Sequence, residues 1–368
     1  MKHILLKSAA MVAAVIWGSN GVQAAWTYDK DAGTLSDGDY TFNVKVVSIE
    51  DPSASGTSVE GLQITGTKVV GAGTTIDFTS AKTDAANSDV ISISAPQFLN
   101  KTPCTTFVAP AVMSLGQQAF RGNTTIEDVT VSDKITTFGD LTFHSASNLK
   151  TFSPTRLPNI VEITGEAFHG AKALTGDFDF PNMTKIENQV FYETSITSVK
   201  MPKIQVIGDF VFRNCSKLTG DFKFDSLVSL GYCAFMGCSL ITSFVAPDAV
   251  LNSRGYEFSG CSSLTNIVVS KELTVIGRNT FEGCKVTSFD FPNVTEIGLQ
   301  AFQRCTELTN LNASAVTILG DSALYRCSKL TKIDMPKLEL IEANGVRDTG
   351  LFELIATNVT KVGGRMRL

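Results

Sequence analysis

Residues 297–336 read IGLQAFQRCTELTNLNASAVTILGDSALYRCSKLTKIDMP and contain one pattern twice. Each copy has a branched aliphatic residue and Gly, then Ala with a large apolar residue, then Cys and Leu-Thr at fixed distances. The second copy begins at Leu319, 22 residues after the first. A repeat of this length is typical of a solenoid, in which each coil is one copy of the pattern.

The large apolar position of the pattern can be followed through most of the chain. It is Phe in ten successive copies and continues as Leu324 and Val346, with steps of 21 to 25 residues. We therefore predict a β-rich repeat solenoid of about twelve coils, in which each coil contacts only its neighbours. The residues of this Phe column are Phe98, Phe120, Phe143, Phe168, Phe191, Phe212, Phe235, Phe258, Phe281 and Phe302.

Each coil carries one clear strand signal, a short apolar–polar alternation that in many copies precedes a proline. Val199 and Met201, for example, alternate with polar residues before Pro202. Successive side chains of a strand point to opposite faces, so the apolar ones are predicted to point inward. Proline has no N–H to donate and ends the strand. The strands of successive coils are expected to pair in parallel as one long sheet.

The chain is predicted to have four parts. Residues 1–24 resemble a secretory signal peptide, with Lys2 and Lys7, an apolar run and a small-residue cleavage site ending at Ala24. A buried N-terminal helix is the alternative for this segment. Residues 25–60 are expected to form an N-terminal β cap, 61–92 a degenerate coil, and 93–368 the solenoid.

A small β-hairpin is predicted within the cap, because Asp37-Gly38 is a strong turn signal between two alternating segments. The open end of a solenoid would otherwise expose its apolar core and an unpaired strand edge. We expect the aromatic residues of the cap to cover the first coil. These residues are Trp26, Tyr28, Tyr40 and Phe42.

The consensus of the copies, x-I-G-x-x-A-F-x-x-C-x-x-L-T-x-I-x-[IF]-P, is similar to the BspA-type leucine-rich repeat of bacterial surface proteins. The resemblance covers roughly residues 93–362 and implies a right-handed superhelix. It also implies a secreted or surface-displayed module that binds proteins, often in adhesion to host matrix, host cells or other bacteria. Five early copies depart from the pattern at the Cys position, with Lys101, Asn123, Ala146, Ala171 and Thr194.

Eight cysteines in a secreted chain would normally indicate disulfides. Stacked equivalent positions project parallel side chains, however, whereas a disulfide needs Cβ atoms that converge to about 3.8 Å. A ladder of buried free thiols is therefore expected, with neighbour disulfides and metal or redox chemistry as alternatives. Cys104 is expected in the core, and Cys233 at an exposed position as the most reactive thiol. The column itself is Cys215, Cys238, Cys261, Cys284, Cys305 and Cys327.

His144 and His169 directly follow residues of the Phe column, so they should be neighbours on adjacent coils, about 5 Å apart. Arg121 and Tyr192 flank them in that column, where no third ligand is found. Zinc prefers four ligands. The sequence therefore predicts no metal site and no cofactor, and exposed histidines.

Composition and motifs argue against several functions. Acidic residues outnumber basic ones by 36 to 31, so no nucleic-acid partner is predicted. No segment after residue 24 is apolar enough to span a membrane. The nucleophile elbow, the zincin helix, the P-loop and the dinucleotide fingerprint are missing from the sequence. A non-catalytic protein is therefore predicted.

The outward strand positions are expected to form an extended face, which is the usual recognition surface of a solenoid. We predict a protein partner, such as a host matrix or cell-surface protein, and a secreted, periplasmic or cell-surface location. Glycan binding or enzymatic activity in the N-terminal region is one alternative, and a purely structural stalk is another. The candidate binding residues are Asp177, Asp179, Ser198, Lys200, Asp221, Lys223, Ser288 and Asp290.

Overall fold

The computed structural model describes residues 26–37, 39–50, 52, 57–69, 73–79, 90–94, 96–99 and 102–363. Every regular element in these ranges is a β-strand. None of the described residues belongs to a helix long and apolar enough to cross a membrane. The predicted signal peptide, Gly38 of the predicted turn and Lys101 lie outside the described residues.

The N-terminal strands form an antiparallel sheet that continues into the solenoid. The predicted hairpin is confirmed, since β2 and β3 pair antiparallel on either side of Asp37. The fourth strand pairs antiparallel with the third and parallel with the sixth, and it spans the division expected at residue 60. These strands are β1 Thr27–Asp29, β2 Thr34–Ser36, β3 Thr41–Glu50, β4 Ser58–Val69, β5 Thr75–Asp77 and β6 Val90–Ile93.

The predicted solenoid is confirmed, with about 12 turns and mostly parallel sheets. Each regular coil contributes one strand to a proline-side ladder, formed by β5 and the odd-numbered strands after it. Each regular coil contributes a second strand to a glycine-side ladder, formed by β4 and the even-numbered strands after it. The strands are β7 Thr106–Val108, β8 Ser114–Leu115, β9 Asp128–Thr130, β10 Thr137–Phe138, β11 Thr151–Ser153, β12 Glu162–Ile163, β13 Asp177–Asp179, β14 Lys185–Ile186, β15 Ser198–Lys200, β16 Val206–Ile207, β17 Thr219–Lys223, β18 Ser229–Leu230, β19 Leu240–Val245, β20 Val250–Leu251, β21 Asn266–Val268, β22 Val275–Ile276, β23 Ser288–Asp290, β24 Glu296–Ile297, β25 Asn310–Asn312, β26 Ile318–Leu319, β27 Lys332–Asp334, β28 Leu340–Ile341, β29 Glu353–Ile355 and β30 Lys361–Val362.

The expected single long sheet is instead divided into several shorter ones. The glycine-side ladder is interrupted between β10 and β12 and again between β20 and β22. At both interruptions, the first residues of successive strands are 25 residues apart. The other successive strands of this ladder from β8 onward start 21 to 23 residues apart. Two-residue strands make few hydrogen bonds, so a longer connection readily shifts them out of register. The proline-side ladder is interrupted after β11, β15, β21 and β25.

The Phe column forms a continuous stack inside the solenoid. From Phe120 to Phe302, neighbouring rings are stacked with centroids 4.9 to 6.0 Å apart. All of these rings are fully buried, and Leu324 and Val346 continue the column without exposure. At the N-terminal end, the ring centroid of Phe42 in the cap lies 5.2 Å from that of Phe98. The cap aromatics Trp26 and Tyr40 are also buried, as predicted.

The turn that carries each Phe forms a further backbone ladder. In the coil of Phe191, the residues two before and two after it, Gln189 and Glu193, have positive φ angles of 59° and 57°. The N–H groups of Gln189, Phe191 and Glu193 donate to carbonyls of the next coil at 2.9 to 3.0 Å. The left-handed conformation points these N–H groups toward the next coil. It therefore recurs at the same turn positions in successive coils.

The six column cysteines are free and buried, as predicted. Each thiol donates to the carbonyl oxygen of a Phe-column residue in the preceding coil, for example Cys215 to Phe191 at 2.9 Å and Cys238 to Phe212 at 3.0 Å. The Phe212 carbonyl also accepts the N–H of Cys215 in its own turn at 3.1 Å. A small thiol thus satisfies a second lone pair of a buried carbonyl.

The expectation that Cys233 is exposed is wrong, because the exposed fraction of Cys233 is only 2 %. Cys233 occupies the left-handed position two residues before Phe235, with φ 56°. Burial raises the pKa of the Cys233 thiol, and it raises the pKa of Cys215 to about 12. Since the thiolate is the reactive form, none of these cysteines is poised for chemistry.

We predict that Phe258→Ala destabilises the solenoid by about 3–5 kcal/mol, because it removes a buried ring from the middle of the stack. Phe258 stacks on Phe235 and Phe281 and also contacts Phe244 at 4.8 Å. Chemical denaturation of the variant should show the loss. Val346→Ala, at the C-terminal end of the same column, is the control and should cost less; equal and negligible losses would contradict a core role for the column.

We also predict that thiol reagents label none of the eight cysteines rapidly in the native chain and all eight after denaturation, since all are buried. Time-resolved labelling with mass detection would measure this. Cys233→Ser should leave native labelling unchanged. Rapid native modification that disappears in Cys233→Ser would show that this thiol is accessible after all.

Candidate functional site

The candidate binding residues lie on the outer surface of the proline-side ladder. In the pair formed by β13 and β15, Asp177 is opposite Ser198 and Asp179 is opposite Lys200. The alternate residue of β13, Phe178, is buried. The inward and outward positions predicted from the alternation are therefore confirmed for these two strands.

Four of the candidate residues surround one shallow cleft, which the sequence did not indicate. The cleft lies between β15 and β17, where the proline-side ladder is interrupted, and has a volume of about 310 Å³. Its floor is apolar and its rim is charged with alternating sign. The rim consists of Asp179, Lys200, Asp221 and Lys223, and the floor includes Val199, Met201, Phe222 and Phe224.

The remaining pair, Ser288 and Asp290, belongs to a different sheet. Both lie on β23, which pairs with β25, whereas the ladder is interrupted between β21 and β23. The eight residues therefore share one side of the solenoid but do not form the single continuous sheet face that was expected. The cleft is the place where the structure concentrates them.

Hydrogen bonds favour the ionised form of two acidic side chains on this surface, Asp177 and Asp290. The hydroxyl of Thr197, and next that of Ser198, donates to Asp177 and lowers the pKa of its carboxyl group. The Asn312 amide, and next the Lys271 ammonium, does the same for Asp290. The surface therefore presents fixed negative charges beside exposed lysines, and such exposed charges contribute little to folding stability.

The N-terminal alternative loses three of its four aromatic anchors in the structure, and only Tyr28 is partly exposed. Tyr40 and Phe42 are fully buried, and the exposed fraction of Trp26 is 4 %. The indole N–H of Trp26 donates to the backbone oxygen of Asp77 at 2.6 Å. These side chains close the solenoid core, so they are not available to a partner.

The two histidines are brought together as predicted, but they are not alone. Their rings stack with centroids 4.7 Å apart. The expectation of exposed histidines is wrong, because each is partly buried against the neighbouring rings. Their column offers no third ligand, but Glu166, which lies outside that column, places Oε2 3.3 Å from both His144 Nε2 and His169 Nδ1. Burial, and next the neighbouring His144, lowers the pKa of His169.

Glu166 reaches the histidines because its coil is irregular. The step from Phe143 to Phe168 is 25 residues, the longest in the Phe column. In this coil the left-handed residue before the ring is Gly165, three positions before Phe168, instead of two. The residue after it, Glu166, therefore has a different backbone conformation from its counterparts. Gly165 is the sequence signal for this local change, since the extra residues of the long step precede β12 and the distance from Ile163 to Phe168 is five residues, as from Ile186 to Phe191.

A family model describes the repeats of this chain. The model of the BspA type leucine rich repeat region matches six copies, over residues 78–192, 184–309 and 254–364. The chain belongs to the BspA-type leucine-rich-repeat family. No curated protein sequence matches it.

Several solved structures resemble this BspA-type protein at low sequence identity. A leucine rich cell surface protein from Faecalibacterium prausnitzii is 19 % identical, with a TM-score of 0.49, covering 89 % of this chain and 95 % of that chain. A leucine-rich repeat protein from Bacteroides ovatus is 18 % identical, with a TM-score of 0.44 and coverages of 87 % and 89 %. The pneumococcal vaccine antigen PcpA is 14 % identical, with a TM-score of 0.45 and coverages of 91 % and 99 %.

One buried residue of this BspA-type protein departs from the repeat pattern. Glu257 precedes Phe258, at a position where the preceding coil has Ala234 and the next has Thr280. It is fully buried, and neither carboxyl oxygen has a hydrogen-bond partner among the described residues. Burial raises the pKa of Glu257 to about 8.

We predict that Glu257 makes the stability of the solenoid depend on pH. Its folded pKa lies above the unfolded value of 4.5, so the folded state binds the proton more tightly. The stabilisation is complete below about pH 4.5 and is lost as pH rises to about 8, by about 1.4 kcal/mol per pH unit. Denaturant titrations of wild type and Glu257→Ala at several pH values would measure the difference.

The Glu257→Ala variant should be more stable than wild type near pH 8, since Ala is native at this position in the coil of Ala234. Glu272→Gln, which changes an exposed carboxylate, is the matched control for general charge effects. Identical pH profiles for wild type and Glu257→Ala would contradict a buried, neutral carboxyl group.

Proposed function

We propose that this chain is a non-catalytic binding protein of a bacterium, secreted or displayed at the cell surface, and that it binds a protein partner through the proline-side surface. Its membership of the BspA-type family supports the binding role. The signal-peptide composition of residues 1–24 supports export. Adhesion to host matrix or host cell-surface proteins is the form of binding that we consider first.

The cleft between β15 and β17 carries this proposal. It combines an apolar floor with four charged side chains that come from consecutive coils, so the chain fixes their relative positions. Apolar surface at the centre and polar groups at the rim are the usual arrangement of a protein interface. Alternating charges at the rim would select a partner segment of complementary charge and steer its approach.

The composition of the surface favours a protein over a glycan partner. Sugar rings commonly stack on exposed aromatic side chains. The two outward columns of the ladder between β13 and β27 contain no aromatic residue. They are Asp177, Ser198, Asp221, Ser243, Asn266, Ser288, Asn310 and Lys332, and Asp179, Lys200, Lys223, Val245, Val268, Asp290, Asn312 and Asp334.

The proposal predicts that Lys200→Glu/Lys223→Glu leaves the fold intact and slows association with the partner about tenfold, because it reverses the charges that steer encounter. Purified matrix proteins, bacterial surface proteins and a glycan array would first be screened with the wild-type chain. Association rates of the variant and wild type with the protein that binds would then be compared at low and physiological salt.

The matched control is Lys217→Glu/Lys285→Glu, which makes the same charge change at two exposed lysines outside the cleft. It should bind like wild type once salt screens long-range effects. Unchanged binding by the cleft variant would exclude the cleft as the interface. Failure of every screened protein, together with binding on the glycan array, would favour the glycan alternative, and no binding at all would favour a stalk.

A further inference from the structure

We infer that His144, Glu166 and His169 form a binding site for a divalent transition-metal ion, for which Zn²⁺ is the best match. The three side chains could each offer one ligand atom, and these atoms all lie within 4.8 Å of one another. The proposed site lies in the turns of two adjacent coils, the turns that carry Phe143 and Phe168. It is independent of the cleft and of the proposed protein interface.

The two distances from the carboxylate oxygen fit the size of a zinc ion. Glu166 Oε2 is 3.3 Å from His144 Nε2 and 3.3 Å from His169 Nδ1. Two ligands that each lie about 2.05 Å from a tetrahedral zinc ion are separated by about 3.3 Å. The carboxylate oxygen is therefore already placed at the ligand spacing from both nitrogens.

The buried nitrogen of His169 is a separate indication of a ligand. His169 Nδ1 is inaccessible to solvent and has no hydrogen-bond partner among the described residues, although Glu166 Oε2 is close. An unpaired buried polar atom is unfavourable and calls for an explanation. A metal ion between the two side chains would satisfy it.

Neighbouring side chains engage the atoms of two ligands that the ion would not use. The Gln189 amide donates to Glu166 Oε1 at 3.0 Å and leaves Oε2 for the ion. Ser145 Oγ lies 3.0 Å from His144 Nδ1, which leaves Nε2 facing Glu166. Such supporting hydrogen bonds are a regular feature of metal sites in proteins.

The ligand set selects the class of metal. Two imidazoles and one carboxylate suit zinc and neighbouring transition metals, whereas calcium and magnesium prefer oxygen ligands alone. The two stacked rings are tilted by 29°, and both nitrogens face one ion only when the rings turn about their Cβ–Cγ bonds on binding. Three protein ligands leave a fourth position for water.

Isothermal titration of Zn²⁺ into the full chain, with thiols reduced, should show one ion per chain, whereas Mg²⁺ and Ca²⁺ should show none. Co²⁺ should give the visible spectrum of a nitrogen–oxygen site without a thiolate charge-transfer band. His144→Phe and His169→Phe each keep a ring in the stack but remove a ligand, so both should abolish stoichiometric binding. Gln189→Ala should weaken it about tenfold.

Tyr192→Phe is the matched control, because it keeps the ring that stacks on His169 at 4.5 Å and removes no ligand. It should bind zinc like wild type. Equal denaturation midpoints without metal would show that the variants fold. The proposal is overturned if wild type binds no stoichiometric zinc, if binding survives in both His→Phe variants, or if the cobalt spectrum shows thiolate ligands.

Discussion

The solenoid depends on the turn that places one Phe ring of each coil on the ring of the next. This turn requires left-handed backbone at non-glycine residues, such as Gln189 and Glu193, which costs about 1–2 kcal/mol for each. Burial of the ring contributes about 1.5–3 kcal/mol, and the N–H groups of the turn donate to the next coil. The turn is therefore favourable only when another coil is stacked on it, which makes the coils interdependent.

The column cysteines strengthen the same interaction. A Phe carbonyl that accepts one N–H within its own turn has a second lone pair, and the thiol of the next coil donates to it, as Cys238 does to Phe212. Where the early coils lack cysteine, other donors occur: Asn123 donates from the same position to Leu99 of the preceding coil at 3.0 Å. The thiols are thus structural donors, and their burial keeps them protonated.

Both proposed functional features lie where this regularity fails. The cleft of the proposed interface lies at an interruption of the proline-side ladder, and a second cleft, lined by Tyr232 and Arg254 among others, lies at the interruption between β20 and β22. The proposed metal site lies in the coil with the longest step. A perfectly regular solenoid would present flat, uniform faces, so irregular contacts between successive coils create the concave and chemically distinct places.

The sequence by itself determined the architecture, because a pattern repeated at a nearly constant step demands that equivalent residues stack. The Phe column, the free thiols, the cap aromatics and the outward position of residues such as Asp177 all followed from that periodicity. The sequence could also place His144 beside His169, since both belong to one column.

Only the tertiary structure decided the features that depend on how two unequal coils meet. The register shifts that divide the sheets, the cleft beside Lys200, the burial of Cys233 and the approach of Glu166 to the histidines were not predicted. Each of these features depends on the backbone direction within a turn or on the offset between two coils. The alignment of equivalent positions in the sequence does not reveal the backbone direction or the offset. A few extra residues change both, because strands of two or three residues have too few hydrogen bonds to impose a common register.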